Sequence, residues 1–457
     1  MQNDLGKDRI DKLVFAIAIP CMIAQFVNVL YSIIDRIYIG HIAEVGSLAL
    51  AGIGVCGPVV TMIGAFASLI GVGGAPLCSI ALGEKNHQKA QSIMANSFTL
   101  LLTISILLVI SLFPFQEQML YLFGASDATI VYAKSYFSIY LLGTPFALLS
   151  VGMNNFINCQ GFAKTGMVSV LIGAIANIIL DPIFIYTLDM GVAGAALATI
   201  IAQALSCLFV LSVLFKQKLA VNLHFEPLNV QHCLSILKIG FTQFIIIAFD
   251  NIMIIAMNMT LKHYGGEQAD LLIMANTVAQ SFMLLVTMPL GGISGGTQCI
   301  LSYNYGAYQV ERVKEAWKYI IKVCISFEII MFLFAWVGGR YFVYLFTMDE
   351  QVILQSVKAI RIMTIFIIPL GMQYELIDGL TALGAVRLSL PLSFFRKGIY
   401  FIFLLIIPSI FGASSAFFAE SISDLIAPFV SLVVVLRSVE NILQWRLQMK
   451  PENFEVE

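Results

Sequence analysis

Charge is scarce in this chain. Lys, Arg, Asp and Glu make up 11% of its 457 residues and 59% of positions are hydrophobic, where an ordinary soluble domain carries about 25% charged residues. So few charges cannot clothe a water-facing surface, which excludes a soluble globular protein and an electrostatic nucleic-acid binder. Strand-period alternation is missing from the apolar stretches, so a transmembrane barrel is excluded too. No Walker A sequence occurs, which removes nucleotide hydrolysis as an energy source, and no HExxH occurs, which removes a zincin-type site. The eight Cys residues form no CxxC pair. Scattered over or beside apolar segments, they read as small buried hydrophobes rather than disulfide partners or metal ligands. The five His residues are dispersed.

What the chain has in quantity is long apolar sequence. A hydrocarbon core about 30 Å thick takes roughly 20 apolar residues per helix. Twelve runs qualify: 13–39, 47–75, 91–113, 132–157, 167–186, 191–215, 235–261, 271–303, 318–338, 357–383, 389–411 and 413–436. Their connections are too short for a soluble domain, so the expected fold is an all-α integral membrane protein with twelve transmembrane helices. The opening "MQNDLGKDRIDKL" leads into a span too long for a signal-peptide core and lacks a small-residue cleavage site, so no removable leader is expected.

Basic residues are placed unevenly. With the amino terminus inside, inner segments hold 17 Lys and Arg, among them Lys85, Lys89, Lys238, Arg312 and Arg387, and outer segments hold five; Arg36, Arg396 and Lys397 fall within spans. This bias predicts that both termini are cytoplasmic.

The chain also repeats itself. A shift of 223 positions superposes Gly73 on Gly296, Gly83 on Gly306, Lys89 on Arg312, Asn155 on Asp378, Gly161 on Gly384 and Lys164 on Arg387, and it sets Asn28 on Asn251 and Asp35 on Asn258. The expected organisation is two pseudo-symmetric six-helix halves around a central cavity. The amino-terminal lobe covers residues 1–218, a polar linker 219–233, and the carboxy-terminal lobe with a short cytoplasmic tail 234–457.

Two acids lie deep in apolar runs. An ionised Asp35 or Asp181 costs several kcal/mol there unless it holds a cation or a proton. Gln25, Asn28, Ser32 and Asp35 recur at helical spacing, and Asn177 stands four residues before Asp181, so each acid belongs to a polar stripe on one helix face. Asp35 lies five residues from Gly40 and Asp181 six from Thr187, which puts both roughly 7–9 Å below the outer helix ends, where they can meet. Pro182 removes an amide hydrogen bond and frees a carbonyl oxygen near Asp181. Carboxylate, amide, hydroxyl and carbonyl oxygens suit Na⁺, and two close carboxylates can share a proton. Arg36 follows Asp35 directly, and adjacent residues on a helix do not face each other.

The segments "IIDRIYIGHIAEVGSLALAGIG", "GEKNHQKAQ", "NNFINCQGFAKTGM" and "ANIILDPIFIYTLDMGVAGAALAT" resemble the MATE (multidrug and toxic compound extrusion) transporters, and the likeness covers essentially the whole chain. In the DinF-like branch of that family an acid on the first helix, an Asn and an Asp on the fifth and a Thr on the sixth form the cation or proton site. The resemblance places that role on Asp35, Asn177, Asp181 and Thr199. The second half carries further acids, Asp250, Glu375 and Asp378, and acids at positions like Asp250 and Asp378 are the coupling residues proposed in the NorM-like branch. The resemblance therefore implies efflux of lipophilic organic cations driven by H⁺ or Na⁺, with no cofactor, no catalytic residue, the lipid bilayer as surroundings, no nucleic-acid partner, and a monomer in a bacterial or archaeal inner membrane.

Candidate substrate or secondary coupling residues are Gln25, Asn28, Asp250, Met253, Met257, Glu375 and Asp378. Met253 and Met257 share the Asp250 face at i+3 and i+7, a soft surface beside an acid, although the same stripe is also what core packing produces. Arg396 or Lys397 could neutralise Asp250 and Asp378. Glu328, Glu420 and Asp424 also fall in spans, making eight intramembrane acids against three bases. That excess favours cations and opposes the rival reading, a lipid-linked oligosaccharide flippase or polysaccharide exporter of the same superfamily, which needs a basic cavity. A membrane-embedded enzyme is a further rival without a visible nucleophile or metal constellation. Gly52–Gly57 fits GxGxxG without a preceding strand, and Gly292–Gly296 fits GxSxG without a His or acid partner, so both read as close helix packing.

Overall fold

The computed structural model describes residues 3–42, 45–216 and 219–451; the expected lobe end at 217–218 and the last tail residues, 452–457, lie outside them. Fifteen α-helices are described: α1 Ile10–Gly40, α2 Gly46–Gly83, α3 His87–Leu112, α4 Gln116–Leu122, α5 Ile130–Asn158, α6 Ala163–Pro182, α7 Gly191–Lys216, α8 Val230–Gly265, α9 Ala269–Gly306, α10 Val310–Leu333, α11 Gly339–Tyr344, α12 Glu350–Met363, α13 Ile367–Ala382, α14 Val386–Phe411 and α15 Phe418–Gln448. No strand occurs among the described residues. Short α4 lies in a connection. α10 continues through a wider π turn (Phe334–Gly338) into α11, and α12 with α13 forms one broken span, so twelve spans result.

Two joints needed particular residues. α8 and α9 would read as one 77-residue apolar helix, but Gly266, at φ +51°, turns the chain back. The tenth expected span, 357–383, is not straight: α12 and α13 meet at 52°. Pro369 lacks an amide hydrogen, and its ring crowds the carbonyl four residues earlier, at Ile365, which breaks the helix there.

The repeat is visible in the element bounds. α3 and α10 start 223 positions apart, as do α6 and α14, and α2 and α9 end 223 apart. The lobes meet where α1 and α2 pack on α8 and α9, and glycines let the backbones touch. A Cβ on Gly83 would lie 2.1 Å from the Tyr303 carbonyl oxygen, and one on Gly306 would lie 2.2 Å from that of Ile80. Shifted by 223, either contact becomes the other, so a pseudo-two-fold axis passes between them. Gly240 abuts the Leu69 carbonyl, and Gly292 and Gly296 abut Cys21, so the GxSxG segment is a packing surface. Gly52 likewise lets α2 rest on Thr129, the residue that precedes α5, and on Ala133 of α5.

Two further features bind the lobes at this end. Arg446 of α15 donates to Glu84 Oε1 across the lobes at 2.7 Å and to the carbonyl oxygens of Tyr305 and Gly306, beneath the Tyr305 and Tyr308 rings. The segment before α1 runs from Asn3, which donates to the Gly161 carbonyl, to Leu5 and Asp8, whose carbonyls accept from Asn304 and Arg312. By contrast, a Cβ on Gly54, Gly57 or Gly64, in the first half of α2, would meet nothing within 4 Å. The glycine-mediated lobe contact belongs to the end where α2 and α9 finish.

Candidate functional site: a buried acid pair in the first lobe

α1, α6 and α7 pack together in the first lobe and bring Asp35, Asn177, Asp181 and Thr199 to one place. Asn177 Nδ2 donates to Asp181 Oδ1 at 3.2 Å and to Thr199 Oγ1 at 3.4 Å. The Asp35 and Asp181 carboxyls approach within hydrogen-bonding reach. Asp181 is fully buried and Asn177 nearly so. Asp35 Oδ1, Asn177 Oδ1 and Asp181 Oδ2 are buried oxygens with no hydrogen-bond partner among the described residues. Arg36 is exposed and makes no ion pair among the described residues, so it acts on Asp35 only as a neighbouring charge and the pair has no salt-bridge partner there. Only two acids contribute, and no group of three or more His, Cys, Asp or Glu able to hold a metal occurs among the described residues. Any cation bound here would also need the amide and hydroxyl oxygens.

The local backbone explains the geometry. After Pro182 the helix opens into a π turn, Ile183–Thr187, a distortion that interrupts regular hydrogen bonding and is common at functional sites. The turn carries Tyr186, whose hydroxyl donates to the Tyr38 carbonyl at 2.6 Å, with the two rings edge to face. This contact ties the ends of α1 and α6 together above the acids.

Several residues here escaped the sequence reading. Tyr31 lies near both acids, Tyr136 approaches Asp35 and Thr199, and Tyr140 approaches Gln203. Tyr136 and Tyr140 stack at 6.2 Å. Tyrosines in apolar runs give no signal that separates them from core aromatics. Gln203 follows Thr199 by one helical turn and could have been found by spacing. Gln25 and Asn28 bond to each other at 3.2 Å on α1.

The second lobe holds its acids differently. Asp250 pairs with Lys397, while Arg396 binds Glu420 at 2.9 Å and Asp424 at 2.8 Å. Asp378 is not neutralised by either base, because Arg396 is committed to α15; it accepts instead from Ser294 Oγ at 2.5 Å, with Gln298 adjacent. Glu328 and Glu375 are buried with no partner for any carboxyl oxygen among the described residues. Met253 and Met257 are buried in the hydrophobic core, whereas the Asp250 side chain is half exposed. The two methionines therefore serve packing and offer no open surface beside that acid.

A two-lobed bundle of twelve membrane-spanning helices, with buried acids where an enzyme would need a nucleophile or metal, defines a membrane transporter. The chain belongs to the MatE family, whose model matches residues 20–183 and 244–407. The two matched stretches begin 224 positions apart, close to the 223-residue internal repeat. Multidrug export protein MepA of Staphylococcus haemolyticus is 26% identical over 93% of both chains, and MepA of Staphylococcus aureus strain MSSA476 is 23% identical over 94% of both. A multidrug-resistance MATE transporter of the MOP superfamily, solved in an outward-facing conformation, shares the fold at a TM-score of 0.89 and 24% identity, over 96% of this chain and 98% of that one. A MOP-superfamily transporter of Pyrococcus furiosus, described as having a binding pocket of reverse polarity, aligns at a TM-score of 0.88 and 25% identity over the same shares.

Proposed function

We propose that this protein exports lipophilic organic cations and that inward movement of H⁺ or Na⁺ through the first-lobe acid pair drives it. The observation that carries this reading is the uncompensated pair itself. A fully buried Asp181 and a half-buried Asp35 within hydrogen-bonding reach cannot both stay ionised at low cost without a cation or a shared proton. The relatives named as multidrug export proteins support export as the task.

In this reading Asp35, Asn177, Asp181 and Thr199 bind the ion, with Tyr136 and Tyr31 closing their surroundings. Either a proton bridges the carboxyls, or Na⁺ takes the unpartnered oxygens of Asp35, Asn177 and Asp181, which are the hard donors it requires. Neutralising the pair removes the repulsion between α1 and α6, and the π turn and the Tyr38–Tyr186 contact carry the change to the helix ends. Pro20 inside α1 gives that helix a place to bend. Ion and substrate exchange because each favours a different lobe arrangement. Gln25, Asn28, Asp250, Glu375 and Asp378 are assigned to substrate handling or secondary coupling, and Met253 and Met257 to the packing beneath them. The lobes, 1–218 and 234–457, are joined by the 219–233 linker and work in a bacterial or archaeal inner membrane, as a monomer with both termini in the cytoplasm.

The test is dye export from vesicles containing the purified protein, with ΔpH and ΔNa⁺ imposed separately. Ethidium should move against its gradient with one of the two ions. Absence of dye movement under both gradients, together with ATP-independent translocation of a lipid-linked sugar, would establish the flippase instead.

A further inference from the structure

The repeat offers an internal control for every cavity, and at one place the lobes differ in a way that calls for a ligand. In the first lobe the turn at Gly161 is covered: Asn3 donates to the Gly161 carbonyl at 3.1 Å, and a Cβ on Gly161 would sit 2.6 Å from the Asn3 oxygen. The equivalent turn in the second lobe, at Gly384, is bare, with nothing within 4 Å of a Cβ there. The segment that could cover it, just before α8, stays with the first lobe. Val221 N donates to Gln160 Oε1, Asn229 N donates to Asn96 Oδ1, and Phe225 packs edge-on against Phe98.

The uncovered turn leaves an open pocket of about 490 Å³, within the range of ligand-binding clefts. Lys238 and Arg387 line it, and no acidic residue does. Both bases are exposed, and neither forms an ion pair or hydrogen bond among the described residues. α14 starts at the rim with Ala385 as an N-cap whose side chain accepts no hydrogen bond, so its positive dipole end is left for an anion. The other walls, Leu383, Ala385 and Ile442, are apolar, and half-exposed Trp445 stands at the edge. The first-lobe equivalent of Lys238 is Phe15 and that of Trp445 is Asn222, so these two features belong to the second lobe alone.

We propose that this pocket binds the phosphoryl headgroup of an anionic phospholipid. Lys238, Arg387 and the α14 amides take the phosphate, while Trp445 and the apolar wall take the glycerol and first acyl carbons. The lipid thereby fills in the second lobe the place that the chain's own amino-terminal segment fills in the first. Its binding is independent of which ion drives transport.

Native mass spectrometry of the detergent-purified full chain tests this with phosphatidylglycerol, phosphatidylcholine and inorganic phosphate as probes. The intact protein should retain phosphatidylglycerol at least about tenfold more strongly than phosphatidylcholine, in line with about 1 kcal/mol for each base near an anionic lipid. Lys238→Gln with Arg387→Gln should erase that preference, and Ala385→Phe, which fills the pocket without altering charge, should weaken lipid retention. Lys262→Gln, an exposed base elsewhere, should change nothing. An undiminished preference in the double variant and in Ala385→Phe overturns the proposal. Displacement of the lipid by millimolar inorganic phosphate also overturns it, in favour of a free-phosphate site.

Discussion

The two lobes share a topology and exchange their chemistry. Asp35, Asn177, Asp181 and Thr199 of the first correspond, 223 positions on, to Asn258, Tyr400, Leu404 and Ile422 of the second. Asn258 is neutral and satisfied by Asn276 at 2.9 Å, and Tyr400 and Leu404 are buried. In the other direction, Asp250, Glu328, Arg396, Lys397 and Asp424 correspond to Val27, Ser105, Gly173, Ala174 and Ile201. The same helices thus carry an acid pair without an ion-pair partner in one lobe and, in the other, three acids bound to Arg396 and Lys397 beside Glu328, Glu375 and Asp378, which have no base among the described residues. An acid beside Arg396 already has its cation, whereas the first-lobe pair has no ion-pair partner among the described residues. In the function proposed above, the close approach of two carboxyls from separate helices, rather than the number of acids, is what assigns coupling to the first lobe.

The largest expected effect breaks the comparison outright. Asp35→Asn or Asp181→Asn should fold, since each removes a costly buried charge and keeps the shape, and should abolish gradient-driven dye export in vesicles. Asp378→Asn, whose partners Ser294 and Gln298 are neutral, should retain most of it. Near-normal export by both first-lobe variants would move coupling to the second lobe.

Next comes stability. Arg396→Met leaves Glu420 and Asp424 buried without their base and should cost about 3–5 kcal/mol, read as a lowered thermal midpoint in detergent. Adding Glu420→Gln and Asp424→Asn should recover much of it. If Arg396→Met alone is neutral, the internal counter-charge is not what steadies the second lobe.

A smaller effect tests the symmetry of the seam. Gly83→Ala and Gly306→Ala each place a Cβ against the carbonyl of the other lobe and should part the lobes equally. Labelling of a cysteine introduced at the tight end should rise by the same factor in both, whereas unequal increases would show that the axis is not shared. Asp250→Asn leaves the almost fully buried Lys397 without its ion pair and should lower the thermal midpoint in detergent, by less than Arg396→Met because solvent screens the half-exposed Asp250 side chain.

The sequence made the acid pair legible because charge in an apolar run is expensive, and because Asn177 and Asp181 share a helical face whatever the tertiary fold. The meeting of Asp35 with Asp181 followed from equal depth below the helix ends. The break at Ile365 had a signal, Pro369, which hydropathy alone overrides. Other features had none. The ion pair between Glu84 and Arg446 joins residues 362 positions apart, and the pairing of Arg396 with α15 instead of Asp378 depends on how α14 is rotated in its lobe. The π turn at Ile183–Thr187 has only Pro182 as a local cue, and most helices with an interior proline bend without it.

The reciprocal contact of Gly83 with Tyr303 and Gly306 with Ile80 acts as a fulcrum. Because the two contacts are related by the repeat, a tilt that lifted one glycine from its carbonyl would lift the other equally, and the lobes would open as two arms of one lever whichever arm is pushed. On the proposed function, an ion arriving in a single lobe would therefore move both, and the second lobe would need no ion site of its own to take part in the stroke.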